Sequence, residues 1–197
     1  MRISTELTID RQRVLDWLAE QVPKPRLSHI LRVETTAIEL AEVHHLDIAQ
    51  AAEAGLLHDV AKYFDPLMLL EIARTHSLAI DPLLDANPHL LHAPVGAVVA
   101  QQEFGVEDRE VLDAIANHTL GSPNMSDLSC VLFLADGMEP GRGDHPKLEK
   151  IRTVSRHHLY QGVSLMCDFK LKRLLKNNQP IHPQMVLTRN WALGKLA

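Results

Sequence analysis

His29, the adjacent pair His58–Asp59, His118 and Asp136 each interrupt apolar sequence at helical spacing, and His92 stands at the head of another such run. Imidazole nitrogens with carboxylate oxygens suit zinc, iron or manganese, and a chain whose only cysteines are Cys130 and Cys167 argues against a thiolate site. A charge inside an apolar interior is costly unless it is paired or bound to a metal. No two of these residues have the tight spacing of a local metal motif such as HExxH. The chemistry lies in the ordered set, with one or two candidates per helix. Taken singly, each has a plainer reading. His58–Asp59 is then a hydrogen-bonded pair within a helix, His29 a satisfied core histidine and His92 a helix cap. His118 is a helix-end cation favoured by the macrodipole, and Asp136 a helix-end polar residue.

These residues need rigid elements to hold them together, and the periodicity supplies helices. Apolar residues recur at helical spacing between Pro and Gly breaks. Helices are expected over residues 10–22, 26–44, 47–64, 65–78, 92–105, 107–119, 126–140, 145–158, 159–178 and 182–196. Asp47 and Ser126 are placed to cap, and Asp65 before Pro66 is a start signal. In the second helix Leu27, Ile30, Leu31, Ile38 and Ala41 form the expected apolar stripe. "CVLFLA", 130–135, could pass for a buried strand, but the capping serine and the absence of strand partners favour helix. The expected fold class is all-α.

Composition bounds the rest. A chain of 197 residues suits a single domain, expected over 1–197 with its core at about 20–191. A formal net charge of −5 argues against a broad nucleic-acid surface, and no apolar run reaches membrane-spanning length. "KLKRLLKNN", 170–178, reads as the solvated face of a late amphipathic helix. Cys130 and Cys167, in apolar surroundings, read as packed thiols and give no disulfide framework. The expected compartment is a reducing cytoplasm.

The order His29, His58–Asp59, Asp136 resembles the H…HD…D signature of the HD-domain metal-dependent phosphohydrolases. "AGLLHDVAK", "LLHAPVGAVVA", "AIANHTLG", "LADGMEPGR" and the late "IHP…RN" follow the order seen in the YqeK family, over roughly residues 20 to 191. Those bacterial HD hydrolases split diadenosine tetraphosphate symmetrically. One departure is Gly137, where family members usually carry lysine, a change in the local phosphate electrostatics. The resemblance implies a single HD-domain bundle of roughly eight to ten helices. It implies that His29, His58, Asp59 and Asp136 hold a divalent or trivalent metal, iron being expected and manganese, cobalt or zinc the other candidates. His92 and His118 would complete a second metal position or face the phosphates.

Lys62, four residues after His58, projects onto the ligand face of a helix and suits a phosphate oxygen as a point charge. Arg142, in a Gly-flanked turn, offers a planar fork to a second phosphate. Thr119 offers a hydroxyl, and Arg26 lies on the His29 side of its helix. Gln179, Pro180, Ile181, His182, Pro183 and Gln184 match a family region that borders the nucleotide. Catalytic work would fall to Asp59, Lys62, His92 and His118. The expected partners are a dinucleoside polyphosphate substrate and the ADP product, without nucleic acid or membrane, and with a second copy of the chain as a further candidate. The alternatives are an HD phosphohydrolase acting on another nucleotide and a nucleotide sensor without turnover.

Overall fold

Short polar side chains that accept from free amides mark where the helices begin. Asp10, Asp47, Asp65, Asp81, Asp108 and Ser126 each accept from backbone N–H groups of the turn that follows. The computed structural model describes residues 7–196, and among these all regular structure is helical. The expected domain span of 1–197 takes in residues 1–6 and 197, which lie outside the described residues. The helices are α1 (Arg11–Gln21), α2 (Lys24–Val43), α3 (Ile48–Leu57), α4 (Pro66–Thr75), α5 (Pro82–Ala86) and α6 (His92–Phe104). They continue with α7 (Arg109–Asn117), α8 (Asp127–Met138), α9 (Pro146–Ser155), α10 (Leu159–Lys176) and α11 (Pro183–Gly194). Two 3-10 turns, Pro88–Leu91 and Pro140–Arg142, complete the set.

The all-α expectation holds, with three corrections. Eleven α-helices exceed the eight to ten expected, because α5 is a five-residue helix in the Pro-rich connection, too short for a periodic signal. Helix α3 stops at Leu57, whereas the alanine-rich sequence reads as helix to Phe64. Residues 58–64 run instead through successive turns, with Val60 N–H on Leu57 O (3.2 Å), Lys62 N–H on Asp59 O (3.0 Å) and Phe64 N–H on Ala61 O (3.2 Å). Lys62 is therefore carried by turns and not by a helix face. The stripe of α2 is rotated from the expected one: Ile30 and Ala41 are buried, but Leu27, Leu31 and Ile38 are half-buried while Val33, Ala37 and Leu40 face inward.

Helix α8 is the centre of the molecule. Cys130 through Ala135 are fully buried, as a helix apolar on all sides requires. The segment that could have been a strand is this helix, capped by Ser126 on the amide of Ser129. Burying Leu132, Phe133 and Leu134 contributes about 1.5–3 kcal/mol apiece to the core. Around α8 pack α2, α7 and α10, and α2 lies along α3. Gly55 makes the last contact close: a Cβ there would stand 2.6 Å from the Glu34 Cα. The helices that end in or carry the histidines and carboxylates are thus the ones that build the core.

Candidate metal centre and phosphate site

Helix α2 supplies His29, the end of α3 supplies His58 and Asp59, α6 begins with His92, α7 ends before His118, and α8 carries Asp136. His29, His58, Asp59, His92 and His118 are all buried. Three of the four rings are oriented in the same way. The Nδ1–H groups of His58, His92 and His118 donate to the carbonyls three residues back, Gly55 O (2.7 Å), His89 O (2.6 Å) and Ile115 O (2.7 Å). That leaves each Nε2 lone pair aimed at a common space. His29 is oriented by a carboxylate, its Nδ1–H lying 3.0 Å from Glu139 Oε1, with its Nε2 3.2 Å from Asp136 Oδ1. A carboxylate that accepts the far ring N–H of a ligand histidine, and so fixes its tautomer, is the usual support of a metal site.

Asp59 sits among these rings. Its Oδ2 lies 3.3 Å from His58 Nε2 and 3.8 Å from His29 Nε2, and its Oδ1 lies 3.5 Å from His92 Nε2 and 3.8 Å from His118 Nε2. Ligand atoms of His29, His58 and Asp136 fall within 4.8 Å of one another, as do those of His58, Asp59 and His118. The donor set fits a metal ion. The His58 Nε2 is buried without a hydrogen-bond partner, and the Nε2 atoms of His92 and His118 face each other at 3.2 Å. A cation between such lone pairs removes both problems.

Both carboxylates and two of the imidazoles are held in metal-binding forms, and His58 is the exception. Burial opposes charge on Asp59, but the His58, His118 and His92 rings outweigh it and hold the carboxyl well below its usual range. Asp136 is likewise held well below, burial being outweighed by the His29 hydrogen bond and by Lys170 and Arg142. Burial and the Lys62 charge lower His92 to about 4, and burial with the neighbouring rings pushes His118 well down. His58 is raised, because Asp59 outweighs the effect of burial. Ionised carboxylates and neutral imidazoles are the forms that bind metal.

Cations line the same polar cleft of about 140 Å³. Arg26 Nη1 lies 2.9 Å from Asp59 Oδ2, Lys62 Nζ lies 3.2 Å from His92 Nε2, and Arg142 Nη2 pairs with Asp136 Oδ1. Thr119 Oγ1 is 3.2 Å from His92 Nε2 and 3.1 Å from His118 Nε2. Sequence reasoning placed all of these here. It missed Lys170, whose Nζ lies 3.9 Å from Asp136 Oδ2. Lys172, Arg173 and Lys176 are exposed, as a solvated face requires, but Lys170 is turned inward. It also missed the orienting role of Glu139, whose Oε2 accepts from Arg32 Nε at 2.5 Å.

The late segment divides. Gln179 borders an apolar cavity of about 440 Å³ that opens from the polar cleft and shares Lys62, Thr119, Asp136, Arg142 and Lys170 with it. His182 and Gln184 line a different cavity, where His182 Nδ1 caps α11 through the Gln184 amide and Nε2 pairs with Asp81 Oδ2 at 2.8 Å. Pro180 and Pro183 are exposed and Ile181 is half-buried between α10 and α11.

Comparison with known proteins gives a consistent outcome. A family model described as HD domain matches residues 26–141. The chain is 37% identical to the symmetrical bis(5'-nucleosyl)-tetraphosphatase of Bacillus subtilis over 94% of its own length and 99% of that protein. It is also 37% identical to the protein of the same name from Halalkalibacterium halodurans, over 94% and 98%. A crystal structure of a predicted HD superfamily hydrolase involved in NAD metabolism from Clostridium acetobutylicum superposes with a TM-score of 0.90 at 28% identity, covering 94% of this chain and 98% of that one.

Proposed function

The chain belongs to the HD-domain family, and from that premise we propose that it hydrolyses diadenosine tetraphosphate symmetrically to two molecules of ADP. The observation that carries this reading is one cleft in which a His/Asp cluster able to hold a metal lies among Arg26, Lys62, Arg142 and Lys170. Each bridging phosphate of the substrate carries negative charge, and a cluster of cations next to the reacting phosphoryl group neutralises it.

His29, His58, Asp59 and Asp136 would hold the metal, iron being the proposed one. Asp59 Oδ1 with His92 and His118 would form a second cation position. When bound, a metal at such a site lowers the pKa of water and polarises a phosphoryl oxygen. The protein's own groups position and stabilise. Lys62 and Arg142 bind phosphate oxygens, Arg26 shares that work while holding Asp59, and Thr119 offers its hydroxyl beside His118. Asp59, ionised at neutral pH, orients the attacking water. Gln179 borders the nucleoside on the apolar side, and of the segment that follows, His182 and Gln184 line the neighbouring cavity.

Residues 1–197 form one domain on this reading, working in the cytoplasm on soluble nucleotides. Both cysteines are free and buried, and among the described residues no helix is long and apolar enough to cross a membrane. The test is direct. Pure protein is incubated with diadenosine tetraphosphate and Fe²⁺ or Mn²⁺, and the nucleotides are separated by ion exchange. ADP as the only product supports the proposal; ATP plus AMP, or ADP binding without turnover, overturns it. Asp59→Ala is expected to lose both metal and turnover while keeping the helical circular-dichroism signal.

A further inference from the structure

Lys170 and Met166 stand one turn apart on α10, on the side that meets α8. Gly137 makes that meeting close: a Cβ there would lie 2.6 Å from both Sδ and Cε of Met166. Because α10 comes this near, Lys170 passes over the ring of Phe133, its Nζ 4.1 Å from the centroid, and reaches the floor of the cleft. An ammonium has three protons to donate. Its polar contacts among the described residues are the Thr119 carbonyl at 3.5 Å and Asp136 Oδ2 at 3.9 Å. The first is at the limit of a hydrogen bond and the second beyond it.

Asp136 Oδ1 is taken by Arg142 and His29, and Asp136 Oδ2, the carboxylate oxygen that faces Lys170, stands beyond hydrogen-bond reach of it. Lys170 is thus a cation held in place with donors to spare. It borders two cavities at once: the polar cleft of the metal cluster and the apolar cavity of about 440 Å³. Leu120, Leu148, Met166, Phe169 and Met185 wall the latter, with Arg173 alongside. A cavity of that size and character suits a purine nucleoside.

We propose that Lys170 binds the phosphate chain of the substrate where it leaves the polar cleft, so that the attached nucleoside enters the apolar cavity. The proposal rests on the hydrolase reading and deepens it. Lys170 becomes a specificity-determining residue, favouring substrates whose reacting phosphoryl group is followed by further phosphate and a nucleoside. The plainer possibility is that Lys170 only offsets the charge of Asp136. The two differ in what they do to KM and to product affinity.

Wild type, Lys170→Met, Lys170→Arg and the exposed-site control Lys172→Ala are compared in Mn²⁺ for kcat and KM with diadenosine tetraphosphate, for inhibition by ADP, and for metal content. Removing one charged contact to phosphate is expected to raise KM and the ADP inhibition constant by about tenfold or more. The same variant should keep its metal and most of kcat, while Lys170→Arg and Lys172→Ala stay near wild type. If Lys170→Met leaves KM and ADP inhibition within about twofold, or lowers metal content and kcat at unchanged KM, the proposal is overturned. Should Lys170→Met not fold, Lys170→Gln is read in the same way. Should wild type make no ADP from the substrate, the hydrolase reading fails by itself. Calorimetric ADP binding then decides Lys170, a weakening of about tenfold supporting its role and equal affinity overturning it.

Discussion

Gly55→Ala tests whether the spacing of α2 and α3 sets the metal centre. In an unobstructed helix interior the change gains up to about 1 kcal/mol, because alanine is the better helix former. Here the new Cβ would lie 2.6 Å from Glu34 Cα and 3.2 Å from Glu34 N. Carbon atoms rest at about 3.5–4.0 Å, so roughly 1 Å of clearance is missing, and no rotamer change moves a backbone atom. Overpacking of this kind costs about 1–3 kcal/mol. Set against the propensity gain, the clash leaves a net loss of up to about 2 kcal/mol. At about 2–4 °C per kcal/mol for a chain of this size, Tm falls by up to roughly 8 °C.

The same displacement reaches the ligands, since His29 rides on α2 and His58 follows α3 with its Nδ1 on the Gly55 carbonyl. Metal–ligand distances tolerate about 0.2 Å, so a shift of even half the missing clearance leaves His29 or His58 out of reach. Mn²⁺ affinity is expected to fall at least about tenfold, as for other disturbances of ligand support. Thermal melts of metal-free protein and calorimetric Mn²⁺ titration read the two effects separately. A variant that melts higher than wild type, or binds Mn²⁺ equally well, would refute the claim that this helix contact positions the site.

Glu139→Gln leaves one acceptor where His29 Nδ1–H, Arg32 and the Gly141 amide now share two, so metal affinity should drop about 10- to 100-fold with the fold retained. An unchanged Mn²⁺ titration curve would remove Glu139 from the ligand support. Acidification gives a signed test on His92, whose pKa is lowered to about 4 from the ordinary 6.5, chiefly by burial. The unfolded chain takes up this proton first, so its share of stability is present above about pH 6.5 and is lost as pH falls toward 4, by at most about 3 kcal/mol. Urea unfolding of metal-free wild type and His92→Gln over that range should show a flatter slope in the variant, and parallel slopes would count against a neutral buried His92.

Helix existence was legible in the sequence because each start carries its own chemistry. Asp47, Asp65 before Pro66, and Ser126 all cap as read. Helix ends were not legible, since Ala61 and Lys62 favour helix as much as the residues before them, and only tertiary packing turns the chain at His58. The ordered set His29, His58, Asp59, Asp136 was legible because each is a polar residue in apolar sequence. Lys170 was not, since "KLKRLLK" has the period of a solvated face and nothing local tells which lysine is turned inward. What selects it is Gly137 on another helix, a relation between surfaces and not between neighbours in sequence. Glu139 was hidden for the same reason: its partner His29 is reached only through the packing of α2 on α8.

The helix ends themselves explain how the site is assembled. In a continuing helix each carbonyl already accepts from the amide four residues ahead, and its second lone pair is used here by short hydroxyls, as Thr35 and Thr36 use the Leu31 and Arg32 carbonyls within α2. Where α3 and α7 stop, the carbonyls of Gly55 and Ile115 take the Nδ1–H of His58 and His118, that of Ile115 also accepting the His118 backbone N–H; at the start of α6, the His89 carbonyl in the preceding 3-10 turn does the same for the His92 ring. One backbone geometry, used three times, fixes three tautomers and turns three Nε2 atoms inward. His29 lies inside α2, and it is the histidine that has a carboxylate, Glu139, in that role. The division runs with place in the fold: the three rings at helix boundaries are oriented by backbone carbonyls, and the one in a helix interior is oriented by another side chain.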